Sequence, residues 1–372
     1  MYKPRKTVRV SSPGRVCLFG EHQDYLDLPV VPLAISLRVS VEGTRRTDPR
    51  VHITLPDIAS KDAFSLDRPV PYRRERDYLR SAVNVMRRAG YTFSSGFDCI
   101  VRGNIPISAG TSSSSALVVS WVNFLARMSN EAREISREEC ARLAHIAEVL
   151  EFNEPGGMMD QYTASYGGLL SIRFHPAVQL ERLDSPLESF VIGDSGEPKD
   201  TMAMLARVKN RVLAVSQSHA RRHPEFSLHT ADSQEIDRYG AELSPEERAL
   251  LLGTVLNRDL TEEALKLLRG PSVDHRELGR LLSMHHAVLR DTLGVSTPKI
   301  DRMLEAAQRA GAYGGKITGS GGGGCMFVYA PDDTKAVAQA IEDAGGAAYI
   351  VHGDVGTRVE PPRRASVRTR LS

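Results

Sequence analysis

Long apolar runs are absent from this chain. No stretch approaches the roughly 18 apolar residues needed to span a bilayer, which excludes a helical membrane protein. The basic start, Met1-Tyr-Lys-Pro-Arg-Lys6, is not followed by the apolar core of a secretory signal. Cysteine is scarce: Cys17, Cys99, Cys140 and Cys325 lie far apart, with no metal-ligand spacing. Each sits in an apolar run and reads as a small buried hydrophobe in a reducing compartment, so a cytoplasmic location is expected. An excess of one charge is also missing. With a net charge of +2 and dispersed basic residues, neither nucleic acid nor an acidic membrane is expected as the main partner. No Gly-x-x-x-x-Gly-Lys-Ser/Thr loop occurs, which argues against an ordinary Walker-type ATPase.

What is present fits a soluble globular protein of two domains, since 372 residues exceed one small core. The hydrophobic period alternates along the chain. Residues up to about 105 are strand-rich, with Val8–Val10, Arg15–Phe19, Arg38–Val41, Val51–Leu55 and Phe97–Val101 as strands. Asp77–Gly90 reads as an amphipathic helix stopped by glycine, and Leu117–Met128 and Arg137–Phe152 are helical. Strands return at Gly167–Phe174 and Ser189–Ile192, followed by a mostly helical block from Pro198 to about Leu293. A helix at Pro298–Gly311, a strand at Cys325–Tyr329, a helix at Thr334–Ala344 and a strand at Ala347–Val351 suggest a small α+β sandwich. The expected division is residues 1–190, 191–355 and a frayed tail at 356–372, which carries several arginines and paired prolines.

Four segments carry candidate chemistry. Gly14-Arg-Val-Cys-Leu-Phe-Gly-Glu-His-Gln-Asp-Tyr25 places Arg15, Glu21, His22 and Asp24 where the chain leaves a buried strand. Desolvating such charges calls for a compensating ligand, although a polar loop with an ion pair also fits. Asn104-Ile-Pro-Ile-Ser-Ala-Gly-Thr-Ser-Ser-Ser-Ser-Ala116 runs straight into a helix. Its free N–H groups, hydroxyls and helix dipole are the ingredients of a phosphate site, and equally of a plain serine N-cap. Lys316-Ile-Thr-Gly-Ser-Gly-Gly-Gly-Gly-Cys325 contains Gly-x-Gly-x-x-Gly, but it precedes a strand, the wrong context for a dinucleotide fingerprint. It reads as a loop that approaches another element or a phosphate closely, with a flexible linker as the alternative. Last, Glu148 on a helix is followed by Glu154-Pro-Gly-Gly-Met-Met-Asp-Gln-Tyr162, where a partly buried Asp160 needs a partner such as Arg15.

Together, in this order, the four segments resemble the galactokinase, homoserine kinase, mevalonate kinase and phosphomevalonate kinase (GHMP) superfamily. The resemblance covers residues from about 12 to 352. It implies an α+β, two-domain fold with an N-terminal α/β domain resembling ribosomal protein domains, joined to a ferredoxin-like C-terminal domain. ATP and its acceptor would meet in the cleft between them. Gly14-Arg15, Gly20-Glu21-His22-x-Asp24-Tyr25, Met159-Asp160-Gln161 and Leu289–Pro298 are most similar to galactokinases, with Gln23 where those usually have threonine.

By that resemblance Asp160 is the catalytic aspartate and Arg15 the cation beside it, and Ser114 and Glu148 hold Mg²⁺. Ser108, Ala109, Gly110, Thr111, Ser112, Ser113 and Ser114 would wrap the triphosphate with help from Gly321 and Gly322. Glu21, His22 and Asp24 would bind sugar hydroxyls. The implied partners are ATP and a small sugar, in a monomer or homodimer. Thr111 replaces a usual leucine, Gly322 a usual phenylalanine, and the tyrosine that galactokinases set against the sugar has no counterpart between Phe190 and Arg211. The expected activity is transfer of the γ-phosphoryl group to a monosaccharide hydroxyl. The alternatives are a mevalonate-type kinase, whose acidic acceptor Glu21 and Asp24 would repel, and a non-catalytic sugar- and ATP-binding regulator.

Overall fold

The computed structural model describes residues 6–107, 109–187 and 189–361. The first lobe runs through β1 (Thr7–Phe19), β2 (Val31–Arg45), β3 (Arg50–Leu55), β4 (Ser60–Ser65), α1 (Tyr78–Arg88), β5 (Phe97–Gly103), α2 (Ser113–Met128), α3 (Arg137–Glu148), α4 (Met159–Tyr166), β6 (Leu169–Arg173) and β7 (Gln179–Leu183). The second contains β8 (Phe190–Asp194), α5 (Thr201–Arg222), α6 (Ser233–Arg238), α7 (Pro245–Leu268), α8 (His275–Asp291), α9 (Pro298–Arg309), β9 (Gly314–Ile317), β10 (Cys325–Tyr329), α10 (Thr334–Asp343) and β11 (Ala347–Val351). The chain then returns to the first lobe as β12 (Arg358–Glu360).

The first sheet has the order β12-β1-β2-β5-β3-β4, with β6 joining β2 and β7 joining β6. Its pairings are antiparallel except β3 with β5. A parallel pair needs a crossover, and α1 lies in that connection, giving a βαβ unit. Leu79, Ala82, Val83 and Met86 recur at helical spacing and are buried. On α2, Trp121 stacks on Phe124 at 5.3 Å, and Phe124 meets Phe97 of the sheet edge-on at 5.4 Å. The Trp121 indole N–H donates to the Leu79 carbonyl at 2.9 Å, so α2 is tied to α1 as well as to the sheet.

The second sheet, β11-β8-β10-β9, is wholly antiparallel. With helices after β8 and between β10 and β11, it has the ferredoxin-like split βαβ order. Alternation along β10 divides its two faces. Met326 and Val328 pack with Met303 of α9 and Ile341 of α10, whereas Phe327 and Tyr329 join a core continuous with the first lobe. The two lobes therefore share an apolar interior. Among the described residues, no helix is long and apolar enough to cross a membrane.

Two expectations change, and Asp160 gains an element of its own. Residues 7–19 form one strand rather than two, because a register shift at Pro13 to Arg15 absorbs the proline without ending the pairing with β2. Asp160 lies in the first turn of a separate short helix, α4. The tail expected to fray from 356 instead begins with β12, where Arg9, Val10 and Ser11 pair with Glu360, Val359 and Arg358. Arg9 and Ser11 both bind the Glu360 carboxylate, which anchors that strand. The rest of the expected tail, 362–372, lies outside the described residues.

Candidate active site

A cavity of about 460 Å³ opens between the ends of β1 and α4, the N-terminus of α2 and the glycine-rich turn before β10. Arg15, near the middle of β1, is its main strut. Nε and Nη2 donate to the two carboxylate oxygens of Asp160 at 2.8 and 3.0 Å, a fork-to-fork pair. Nη1 donates to the Gly110 carbonyl at 2.6 Å, and the backbone N–H to that of Thr111 at 3.2 Å. Burial opposes the guanidinium charge, but Asp160 and Glu21 outweigh it and raise its pKa. Ser112 donates to Asp160 Oδ2 at 2.6 Å, so the serine loop and α4 converge on one carboxylate.

Ser112 has a left-handed backbone and precedes α2, whose first residues Ser113, Ser114 and Ser115 line the cavity. Glu148 at the end of α3 faces them. Burial pushes its carboxyl up to about 7, against the hydrogen bonds from Gln161, Ser114 and Ser115. Gln161 Nε2 donates to Glu148 at 2.8 Å, while its carbonyl oxygen is buried without a partner among the described residues. A buried carboxylate, an orphaned amide oxygen and a serine hydroxyl form an all-oxygen donor set, which suits a hard divalent cation. Among the described residues, no group of three or more His, Cys, Asp or Glu is placed to hold a metal ion by itself.

Asp24 begins a single 3₁₀ turn after β1. Its carboxylate accepts from the Tyr25 N–H at 3.0 Å and the Met159 N–H at 3.4 Å. Burial, then the neighbouring Asp160, lifts it from 3.8 to about 7. The Pro155-Gly156-Gly157 turn leaves room for it, since a Cβ on Gly157 would lie 2.2 Å from Asp24 Oδ2.

Glu21 and His22 are differently engaged than expected. Glu21 is bound at 2.9 Å by Lys316, a fully buried lysine of β9 that also donates to the carbonyls of Cys17 and Ile317. Burial works against the Glu21 carboxylate, but Lys316 and Arg15 lower its pKa. His22 contacts the Ser320 carbonyl through Nε2 at 3.1 Å, which makes that nitrogen the protonated one, so Nδ1 accepts from Tyr25 Oη at 2.8 Å. Burial lowers its pKa to about 4, keeping the ring neutral. His22 lines the cavity, and with both nitrogens engaged the ring pins the loop after β1 to the glycine-rich turn.

The residues expected at the nucleotide divide by their position relative to the cavity. Gly110, Ser112, Ser113 and Ser114 face the cavity, as do Gly319 and Ser320. Ser108 lies outside the described residues. The Ala109 carbonyl accepts from the Cys325 N–H at 2.7 Å, and Thr111 is buried with its hydroxyl unpartnered among the described residues. Gly321 and Gly322, expected at the phosphates, do not line the cavity. Gly322 spends its N–H on the Val295 carbonyl at 2.7 Å, so the turn is held to the α8–α9 connection. Gly110 and Gly319 make the close approach between the loops: both have positive φ, and a Cβ on Gly319 would lie 2.7 Å from Gly110.

Sequence reasoning missed Lys316 and Lys199. Lys316 had a usable signal, a charge inside a strand of glycine and isoleucine that has no room to expose it. Lys199, in the β8–α5 connection, follows Asp-Ser-Gly-Glu-Pro without any periodic cue.

The first of three family models, described as GHMP kinases N terminal domain, matches residues 77–168. That of GHMP kinases C terminal matches 263–349, and a Galactokinase galactose-binding signature matches 2–45. The chain is 30% identical to a mevalonate kinase of Thermococcus onnurineus over 95% of its own length and 98% of that protein. It is 28% identical to a galactokinase of Actinobacillus succinogenes over 92% and 90%. In structure it resembles Lactococcus lactis galactokinase complexed with galactose, with a TM-score of 0.83, 23% identity and 95% of each chain covered. Methanococcus jannaschii mevalonate kinase gives 0.70 at 20% identity, covering 95% of this chain and 100% of that one. This two-lobed protein with its interlobe cavity belongs to the GHMP kinase family. It is accordingly a phosphotransferase acting on a hydroxyl acceptor, with a galactokinase-like signature at its N-terminus.

Proposed function

We propose that this chain transfers the γ-phosphoryl group of ATP to a hydroxyl of a monosaccharide, as a galactokinase-like sugar kinase. The observation that carries this reading is the forked Arg15–Asp160 pair, set beside Asp24 and the serine-lined start of α2 in one cavity. In that reaction the acceptor oxygen forms a bond to Pγ as the bond from Pγ to the β–γ bridging oxygen breaks. ADP leaves with the electron pair, and the acceptor proton passes to Asp160. Phosphoryl transfer depends on positioning and charge neutralisation more than covalent help. Arg15 and Ser112 hold Asp160 in one orientation, while the free N–H groups of α2 face the phosphates. Glu148, Gln161 and Ser114 would hold Mg²⁺, whose chemistry there is to offset phosphate charge. Leu55, Tyr78, Val101 and Ile105 give the other end of the cavity an apolar lining suited to a base.

Asp24 supports a polyol acceptor, because a carboxyl near its pKa both accepts from and donates to hydroxyls. The charge argument against an acidic acceptor is weaker than the sequence suggested: Lys316 neutralises Glu21, and Asp24 is half protonated near pH 7. A mevalonate-type acid therefore stands as the second reading, consistent with the curated relatives. The four buried unpaired cysteines support a reducing, cytoplasmic setting.

ADP release measured across galactose, other monosaccharides, uronic acids and mevalonate tests the acceptor, and turnover confined to mevalonate would overturn the sugar reading. Asp160→Ala should lower kcat by about 10³-fold or more while ATP still binds. Near-normal turnover would remove Asp160 from the chemistry.

A further inference from the structure

One cation in the cavity has no partner in the arrangement above. Lys199 approaches from the β8–α5 connection and lies against the junction of the serine and glycine loops. Its Nζ is 2.9 Å from where a Cβ on Gly110 would stand, and its Cδ is 3.2 Å from that of Gly324. Among the described residues, no carboxylate or carbonyl binds its ammonium. The other buried cations around the cavity are satisfied, Arg15 by Asp160 and Gly110, Lys316 by Glu21 and two carbonyls. A half-buried ammonium without an anion is costly unless an anion arrives.

We infer that Lys199 is a catalytic residue that donates to the γ-phosphoryl oxygens of bound ATP and offsets the charge that builds on them as the bond to ADP breaks. This rests on the kinase reading, but not on which acceptor is used. Three placements support it. Lys199 stands on the opposite lobe from the serine loop, so a nucleotide bridging the lobes would bring it into contact. The two loops it touches are almost free of side chains there, which leaves its ammonium a short path to a phosphate. Asp160 and Arg15 line the same cavity and act electrostatically on Lys199, so all three face the space beside the start of α2.

The titratable groups facing Lys199 are Arg15 from β1, Glu21 from the loop after it, Asp160 from α4 and the neutral, buried thiol of Cys325 from β10. Burial and Arg15 lower its pKa to about 8, against the others. A lysine is charged below its pKa, so the free enzyme loses this cation as the pH rises through about 8.

The test compares binding of an imido-bridged ATP analogue and of ADP to the wild type, Lys199→Met and Lys199→Arg, with pH profiles of kcat/KM for ATP. Lys199→Met should lose about 10-fold or more in affinity for the ATP analogue but less than about 3-fold for ADP, and kcat should fall about 100-fold. In the wild type, kcat/KM should decline above about pH 8, and Lys199→Arg should move that limb beyond the measurable range. An unchanged ratio of ATP-analogue to ADP affinity in Lys199→Met overturns the assignment. If Lys199→Met does not fold, Lys199→Arg decides: an alkaline limb that stays in place overturns it, and one that moves supports it. Because the nucleotide measurement needs no acceptor, failure of every sugar in the ADP-release panel would be told apart from failure of Lys199.

Discussion

Asp24 carries the clearest consequence at the scale of a single residue. Its carboxyl is lifted to about 7 in the folded protein, first by burial and then by Asp160. The native state therefore keeps a proton that the unfolded chain gives up near pH 4. The associated stability is fully present below that value and is lost as the pH rises through about 7. Asp24→Asn is neutral throughout, so it should gain on the wild type as the pH increases. Thermal unfolding of the free protein should show the Asn variant ahead by about 3 °C more at pH 8 than at pH 5. A difference independent of pH would mean that Asp24 is not desolvated as described. The residue types of Arg15, Asp24 and Asp160 were readable as chemistry in the sequence. Their environment was not, because desolvation depends on what packs around a group.

At the scale of elements, the short turn at Pro155-Gly156-Gly157 sets the distance between the start of α4 and the turn that begins at Asp24. Gly157→Ala places a methyl group into the Asp24 carboxylate, 2.2 Å from Oδ2. Asp24 must then swing away, while Ser112, Ser114 and Glu148 are untouched. The KM for the acceptor should rise about 10-fold with the KM for ATP changed less than about 2-fold. Equal losses for both substrates would mean that the turn supports the whole cavity rather than the acceptor side. Helices α1, α9 and α10 were legible from spacing and caps, as at Thr297-Pro298, where the threonine side chain accepts from Ile300 and proline opens the helix. Helix α4 was not, since eight residues with mixed polarity hold too little periodicity. β12 was hidden by its three-residue length and its charges, since Arg358 pairs with the neighbouring carboxylates of Asp354 and Glu360.

For the molecule as a whole, the two lobes are joined by more than their shared apolar core. Lys316 and Glu21 form a buried ion pair between β9 and the loop after β1, and His22 reaches Ser320 beside it. Removing one member leaves a buried charge uncompensated. Lys316→Met should cost about 3–5 kcal/mol in denaturant unfolding, and adding Glu21→Gln should restore a large part of it. A double variant no more stable than Lys316→Met would show that the lysine acts through packing alone. This joint holds the segment after β1 against the glycine-rich turn, fixing the two lobes to each other beside the cavity.

The chain by itself determined which segments are strand and helix over most of its length, the four segments that hold candidate chemistry, and the kind of reaction they suit. Those features are local: hydrophobic period, caps, and the run of serines or glycines need only neighbours in sequence. Only the tertiary structure decided that Glu21 belongs to Lys316, that His22 bridges Tyr25 and Ser320, that Gly322 faces Val295, and that Lys199 stands without a partner among the described residues beside the serine and glycine loops. Each of these depends on which surfaces meet when the lobes pack, and the partner of a buried charge, hundreds of positions away, leaves no periodic trace in the sequence.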